Sequence, residues 1–191
     1  MGKEKKCTLY KKYTSYKKCI PYLILAGFTF FFCWWFVGRH GIFGAKVDWL
    51  SQHSVLPDYF RQQFYATGKI FPEFAPNLGG GQNIYHFAYY GLYSPLILPS
   101  YLLPFVKMSD YIMVISITGL TVSVLLFYYW LKSRKMDTGV AFIISLMFLL
   151  AGPMIGQYSG QIMFVDYMPF LCLALIGVDR YFEQEKSGLF T

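Results

Sequence analysis

Long apolar runs constrain this chain more than any other feature. The segment Tyr111–Leu131 carries no charged side chain, and neither does Ile20–Val37. A helix needs about 20 mostly apolar residues to cross the hydrocarbon core of a bilayer. Both segments are therefore predicted to be transmembrane helices.

Two further apolar runs indicate additional spans, one over 138–152 and one over 162–178. Of all residues, 55% are hydrophobic and only 14% are charged, whereas soluble domains carry about 25% charged residues. We therefore predict an all-α, polytopic integral membrane protein with about four transmembrane helices and a large first extracytoplasmic loop of amphipathic and interfacial helices.

The distribution of basic residues predicts the orientation of the chain. Seven of the 17 basic residues lie within the first eighteen positions, and a second group, Lys132, Arg134 and Lys135, follows an apolar run. Cytoplasmic flanks of membrane proteins are enriched in Lys and Arg. The net charge of +7 is therefore better explained by topology and contact with membrane lipid than by nucleic acid. We expect a multi-pass protein of the cell membrane with a cytoplasmic N-terminus.

The first loop combines three kinds of sequence. Apolar and aromatic residues recur at roughly helical spacing over 47–70, which predicts one or two amphipathic helices broken at Pro57. The stretch "FPEFAPNLGGGQN" predicts a loop. The following hydrophobic stretch contains Pro95, Pro99 and Pro104, so an interfacial or re-entrant segment is expected there rather than a straight span.

These observations give a complete division of the chain. The predicted order is a basic cytoplasmic tail (1–19), a span (20–38), the outer loop (39–109), a span (110–131), a cytoplasmic loop (132–137), a span (138–152), an outer loop (153–161), a span (162–178) and a cytoplasmic end (179–191). Since no closing domain follows the last span, a fragment of a longer protein is expected.

Two aspartates are the first candidates for chemistry. Asp48 follows the first span in "KVDWLSQH", where a partly apolar setting would suit general-base work; the alternative is a helix N-cap. Asp166 lies within an apolar run in "MFVDYMPF", where an ionisable group is costly and suggests function; the alternative is a carboxylate that reaches the membrane interface. If the first and last spans pack together, the two acids would share one outer-face pocket.

Other polar residues of the outer loop are candidate substrate contacts. Arg61 and Lys69, among outer cations that also include Arg39, Lys46 and Lys107, could neutralise a phosphate, although solvated or lipid-facing roles are the simpler alternative. His86 and Tyr90 lie in the aromatic segment "IYHFAYY", and Gln52 and His53 lie on the wet side of the first amphipathic segment. The glycines of "NLGGGQN" lack the Lys and Ser or Thr of a phosphate-binding loop.

The order of these features resembles the N-terminal part of the bacterial YfhO-type membrane proteins, which look like glycosyltransferases of the GT-C architecture. The segments "LGGGQN", "YYGLYSP" and "MFVDYMPF" carry the resemblance. It implies transfer of a sugar from a polyprenyl-phosphate donor to a cell-envelope glycopolymer, such as a teichoic acid, on the outer face of the membrane. Asp48 would be the general base, and Asp166 would orient the acceptor or bind a divalent ion such as Mg²⁺ or Mn²⁺.

The chain differs from the members of that family in its length, which limits what activity is expected of it. Its members are several times longer and have many more spans, so this chain alone is expected to be inactive as a transferase. The alternative is a non-catalytic membrane accessory or assembly subunit. A transporter segment is less consistent with spans that are nearly free of charge in their middles.

Overall fold

The computed structural model describes residues 2–40, 44–45 and 47–184, and within them the chain is mostly helical. The predicted cation Lys46 and the last residues of the cytoplasmic end, 185–191, lie outside the described part. The α-helices are α1 (Gly2–His40), α2 (Val55–Thr67), α3 (Met108–Ser133), α4 (Thr138–Leu149), α5 (Gly152–Gly160) and α6 (Met168–Gln184). Two short strands, β1 (Phe74–Ala75) and β2 (Gln82–Asn83), pair antiparallel.

Within the described part of the chain, three helical segments are long and apolar enough to cross a membrane, namely Lys18–Phe36, Met108–Ser133 and Ile162–Glu183. α4 and α5 together form a fourth if they are counted as one span, bent by 48°. The prediction of an all-α polytopic membrane protein is confirmed. The side of the membrane on which each loop lies remains a prediction.

Helix α1 is longer than a membrane span. Its 39 residues extend about 58 Å at 1.5 Å per residue, whereas the hydrocarbon core is about 30 Å thick. The basic segment predicted as a tail therefore continues the first span as helix and must project beyond the hydrocarbon. Pro21 lies inside this helix.

Helix α3 is the centre of the bundle and packs against α1, α4, α5 and α6. Leu120, Val124 and Tyr128 are among its buried residues. In the most apolar window of each helix, 44% of α3 but only 17% of α1 is buried within the protein. Most of the α1 surface is therefore left for lipid.

The turn from α4 to α5 corrects the predicted boundary of the third span. The predicted span 138–152 ends as regular helix at Leu149, and most of the predicted loop 153–161 is helix α5. Pro153 lies in the first turn of α5, where a backbone N–H has no partner within the helix and its loss costs little. Proline and glycine here mark the start of a new helix rather than a loop.

The segment between α1 and α3, called the outer region after its predicted side of the membrane, contains a π-helical turn, Trp49–His53, that leads into α2. The break between the two falls at Ser54, not at the predicted Pro57, because Pro57 occupies the first turn of α2 where it is tolerated. The predicted loop over 71–83 contains the β1–β2 hairpin. Short 3₁₀ helices follow at Ile84–Tyr90 and Leu98–Leu102.

A second, smaller core holds the outer region together. It consists of Leu56, Phe60, Ala75, Ile84, Tyr90, Leu92 and Tyr101. Gly91, between Tyr90 and Leu92, has a φ of +105°, and a Cβ there would lie 2.9 Å from Ile97 Cγ1. Glycine is therefore required at this turn, which sets the direction of the chain between Tyr90 and Ser94.

Candidate functional site

Asp48 lies at the entrance to the π-helical turn and is half-buried. Its side chain makes no capping hydrogen bond to the turn, so the helix-cap alternative is wrong. Instead, Gln52 Nε2 donates a hydrogen bond of 3.3 Å to Asp48 Oδ1. The carboxylate is thus oriented by the Gln52 side chain and makes no capping hydrogen bond to the backbone of the turn.

Tyr90 connects the Gln52–Asp48 hydrogen bond to the second, smaller core. The Tyr90 hydroxyl donates to Gln52 Oε1, so that Tyr90, Gln52 and Asp48 form one hydrogen-bonded chain. The pKa of Tyr90 is raised to about 12, first by burial and then by the neighbouring Tyr89 and the negative charge of Asp48. Tyr90 therefore remains a neutral hydrogen-bond donor at physiological pH.

Asp166 is held where the chain enters α6. The residue follows a 3₁₀ turn, Ile162–Phe164, and its backbone N–H donates to Ile162 O at 2.8 Å. Ser94 Oγ donates to Asp166 Oδ2 at 2.8 Å and accepts from Leu96 N at 3.3 Å. Sequence reasoning missed Ser94, because a serine before Pro95 looks like an ordinary turn residue.

His53 joins the outer region to the end of α5. The side chain is only 4% exposed, and its Nδ1 lies 3.1 Å from Gly160 O. Since a carbonyl oxygen only accepts, Nδ1 carries the proton in this contact. The His53 ring centroid is 6.1 Å from that of Tyr90.

Four of these polar residues line one small cavity among apolar side chains: His53, Tyr90, Ser94 and Asp166. Asp48 reaches the same cavity indirectly, through Gln52 and Tyr90. We call the set of Asp48, Gln52, His53, Tyr90, Ser94 and Asp166 the two-acid cluster. It contains both predicted acids, Asp166 at the cavity and Asp48 linked to it through Gln52 and Tyr90, and three of the predicted substrate contacts.

The remaining predicted contacts lie elsewhere. Arg61 is buried and donates to Leu103 O, Val106 O and Asp58, at 3.0, 2.9 and 2.5 Å. Lys69 is exposed and forms an ion pair of 3.2 Å with Glu73. His86 is exposed on the 3₁₀ helix Ile84–Tyr90. None of the three lines the cavity of the two-acid cluster.

A metal centre needs several His, Cys, Asp or Glu side chains close together. Within the described ranges, no three His, Cys, Asp or Glu side chains are grouped closely enough to hold an ion. Mg²⁺ and similar ions take oxygen ligands, and only Asp48 and Asp166 offer carboxylates in the two-acid cluster. A divalent ion held by Asp48 and Asp166 therefore stays a prediction.

Comparison with known proteins gives one match. The model of a family described as "Bacterial membrane protein YfhO" matches residues 18–191. No curated protein and no solved structure matches this chain. The matched range includes every residue of the two-acid cluster.

Proposed function

This chain belongs to the YfhO family of bacterial membrane proteins, and we propose that it carries the catalytic outer-face site of a lipid-linked-sugar glycosyltransferase. The donor would be a sugar on a polyprenyl phosphate, and the acceptor a cell-envelope glycopolymer such as a teichoic acid. The observation that carries the proposal is the two-acid cluster. Asp48 and Asp166, 118 positions apart in sequence, are linked to one cavity at the junction of the outer region and the helical bundle.

In the proposed reaction Asp48 is the general base. An acceptor hydroxyl loses its proton to Asp48 as its oxygen attacks the anomeric carbon of the donor sugar. The new C–O bond forms while the bond from the anomeric carbon to the phosphate oxygen breaks, and that oxygen takes the electron pair. Attack in line with the leaving phosphate inverts the anomeric configuration. No step of this reaction requires a metal.

The other cluster residues position the reactants. Gln52 holds the Asp48 carboxylate, and Tyr90 in turn holds Gln52. Asp166, fixed by Ser94, would accept a second hydrogen bond from the acceptor sugar, and the His53 ring would offer another hydrogen-bonding group. Positioning of this kind contributes by converting a bimolecular encounter into a reaction between fixed groups.

The test is an Asp48→Asn substitution in the bacterium that produces the protein. General-base catalysis contributes about 10²–10⁴-fold to rate, so the rate of sugar transfer should fall at least about 100-fold and the sugar content of the envelope glycopolymer should fall strongly. The readout is compositional analysis of the purified polymer, with an immunoblot of the membrane fraction to establish equal protein level. Asp110→Asn, which changes an exposed acid in the first turn of α3, is the matched control.

If the Asp48→Asn variant kept the normal sugar content, Asp48 would not be the general base. Copurification of a stoichiometric membrane partner in that case would favour the accessory-subunit alternative. Asp166→Asn separates positioning from base catalysis, because it should raise the KM for acceptor more than it lowers kcat.

A further inference from the structure

A second concave surface lies outside the two-acid cluster. It is an open cleft of about 480 Å³ between α2 and the chain that leads into α3. Its lining includes Leu50, Val55, Asp58, Tyr59, Phe105 and Lys107. None of its lining residues belongs to the two-acid cluster.

The charged groups of this cleft leave a net positive charge. Asp58 accepts from Arg61 through Oδ1 at 2.5 Å and from Gln62 through Oδ2 at 2.7 Å. Its charge is therefore balanced by Arg61. Lys107 is exposed and forms no ion pair with any described residue. An anionic ligand would find its counter-charge at Lys107.

The other described cations of the outer region are already engaged. The Arg39 guanidinium lies 5.5 Å from the centroid of the Trp35 ring. Arg61 donates to two carbonyls and to Asp58, and Lys69 pairs with Glu73. The sequence favoured Arg61 and Lys69 as phosphate contacts, whereas among the described cations of this region it is Lys107 whose ammonium forms no ion pair.

The walls of the cleft are also apolar and exposed. Leu50 is 65% exposed, Phe105 is 82% exposed, and Leu102 just before the cleft segment is 80% exposed. Large apolar side chains at such exposure favour contact with lipid over contact with water. A ligand that matches both features has an anionic head and a hydrocarbon tail.

The position of Lys107 fits the same ligand. Lys107 directly precedes α3, whose 26 residues extend about 39 Å, compared with about 30 Å for the hydrocarbon core. The ends of α3 therefore lie at the level of the lipid headgroups, where membrane phosphates are found.

We propose that this cleft binds the phosphate headgroup of an anionic membrane lipid, with Lys107 as the phosphate contact and Phe105 and Leu50 against its acyl chains. Tyr59 offers a second donor, since its buried hydroxyl has no hydrogen-bond partner among the described residues. Lys binds phosphate as a compact point charge. The site does not depend on glycosyl transfer and is tested without it.

The experiment measures binding of dioleoyl phosphatidylglycerol to the purified full chain in neutral detergent, by native mass spectrometry. Lys107→Gln should weaken binding about fivefold, the factor that corresponds to ~1 kcal/mol per lysine at a membrane surface. The matched control is Lys135→Gln, an exposed lysine just beyond the other end of α3, which loses the same charge. The basic N-terminal segment contributes an equal background in both variants.

Three results decide the matter. Weaker binding in Lys107→Gln, normal binding in Lys135→Gln, and no binding of uncharged dioleoylglycerol at the site would support the proposal. Equal weakening in both variants would overturn it, because binding would then follow net charge alone. Full competition by inorganic phosphate at the lipid's own concentration would also overturn it, since the cleft would then be a site for free anions.

Discussion

At the scale of single residues, Arg61 shows how a charged side chain can be structural. The sequence offers it as a phosphate contact, but the guanidinium is buried and ties α2 to the carbonyls of Leu103 and Val106. The guanidinium also forms an ion pair with Asp58. Arginine suits this role because its five N–H donors are fixed in one plane and are always charged.

We predict that Arg61→Met destabilises the protein because Leu103 O, Val106 O and the Asp58 carboxylate lose the hydrogen bonds that Arg61 donates. Each buried polar group without a partner costs about 1–3 kcal/mol, so the thermal midpoint in detergent, followed by tryptophan fluorescence, should fall clearly. Arg134→Met is the control, because Arg134 is 54% exposed in its ion pair with Asp179, and exposed pairs contribute about 0–1 kcal/mol. Equal shifts in the two variants would mean that Arg61 does not hold α2 to the loop.

At the scale of elements, the lengths of the apolar runs predicted where the long apolar helices lie, but they did not predict where each helix ends. The uncharged run Tyr111–Leu131 lies within α3, and Ile20–Val37 lies within α1. The proline in the first turn of α5 predicted a loop, because proline and glycine more often interrupt helices than start them. Packing against α3 favours a second short helix at this point, which local sequence alone does not reveal.

The start of α4 gives a pH-dependent prediction. Asp137 Oδ1 accepts from the backbone N–H groups of Gly139 and Val140, at 2.8 and 3.2 Å. The bonds from Val140 and then Gly139 lower the pKa of Asp137 below its ordinary value. A carboxylate with a lowered folded-state pKa stabilises the fold above its unfolded pKa of about 3.9, and this stabilisation is lost as the pH falls through the folded value.

Asp137→Ser tests this contribution, because serine keeps the cap but does not titrate. The wild-type protein should have the higher thermal midpoint at pH 7, and the difference should shrink as the pH is lowered below about 4. Circular dichroism in detergent, scanned at each pH, measures both proteins. A difference that stays constant across this range would show that the charge of Asp137 contributes nothing.

At the scale of the whole molecule, the two-acid cluster exists only because distant elements meet. Asp48 comes from the turn before α2, Tyr90 and Ser94 come from the segment after β2, and Asp166 comes from the start of α6. Its place at the junction of the outer region and the bundle supports an outer-face reaction, provided that the lysine-rich N-terminus is cytoplasmic.

That orientation is tested by labelling single cysteines with a membrane-impermeant maleimide on intact cells, after Cys7, Cys19, Cys33 and Cys172 are replaced by Ala. Ala66→Cys, at the exposed end of α2, should react from outside. Ser133→Cys, at the exposed end of α3, should react only after the cells are permeabilised. The reverse pattern would place the two-acid cluster on the cytoplasmic side and would end the proposal of an outer-face transferase.

The sequence by itself determined the class of this protein. A run of about 20 uncharged residues has no stable place outside a bilayer or a large core, and the lysine clusters predict an orientation. It also singled out Asp48 and Asp166, because isolated acids near apolar spans are costly. Only the tertiary structure decided which polar groups work together, since hydrogen bonds such as Ser94 to Asp166 and Tyr90 to Gln52 join residues far apart in the chain. Other long-range hydrogen bonds, to Leu103 O and Val106 O, engage Arg61, whereas Lys107 forms no ion pair with any described residue. This difference depends on distances between groups that are far apart in the chain, so no local pattern in the sequence reveals it.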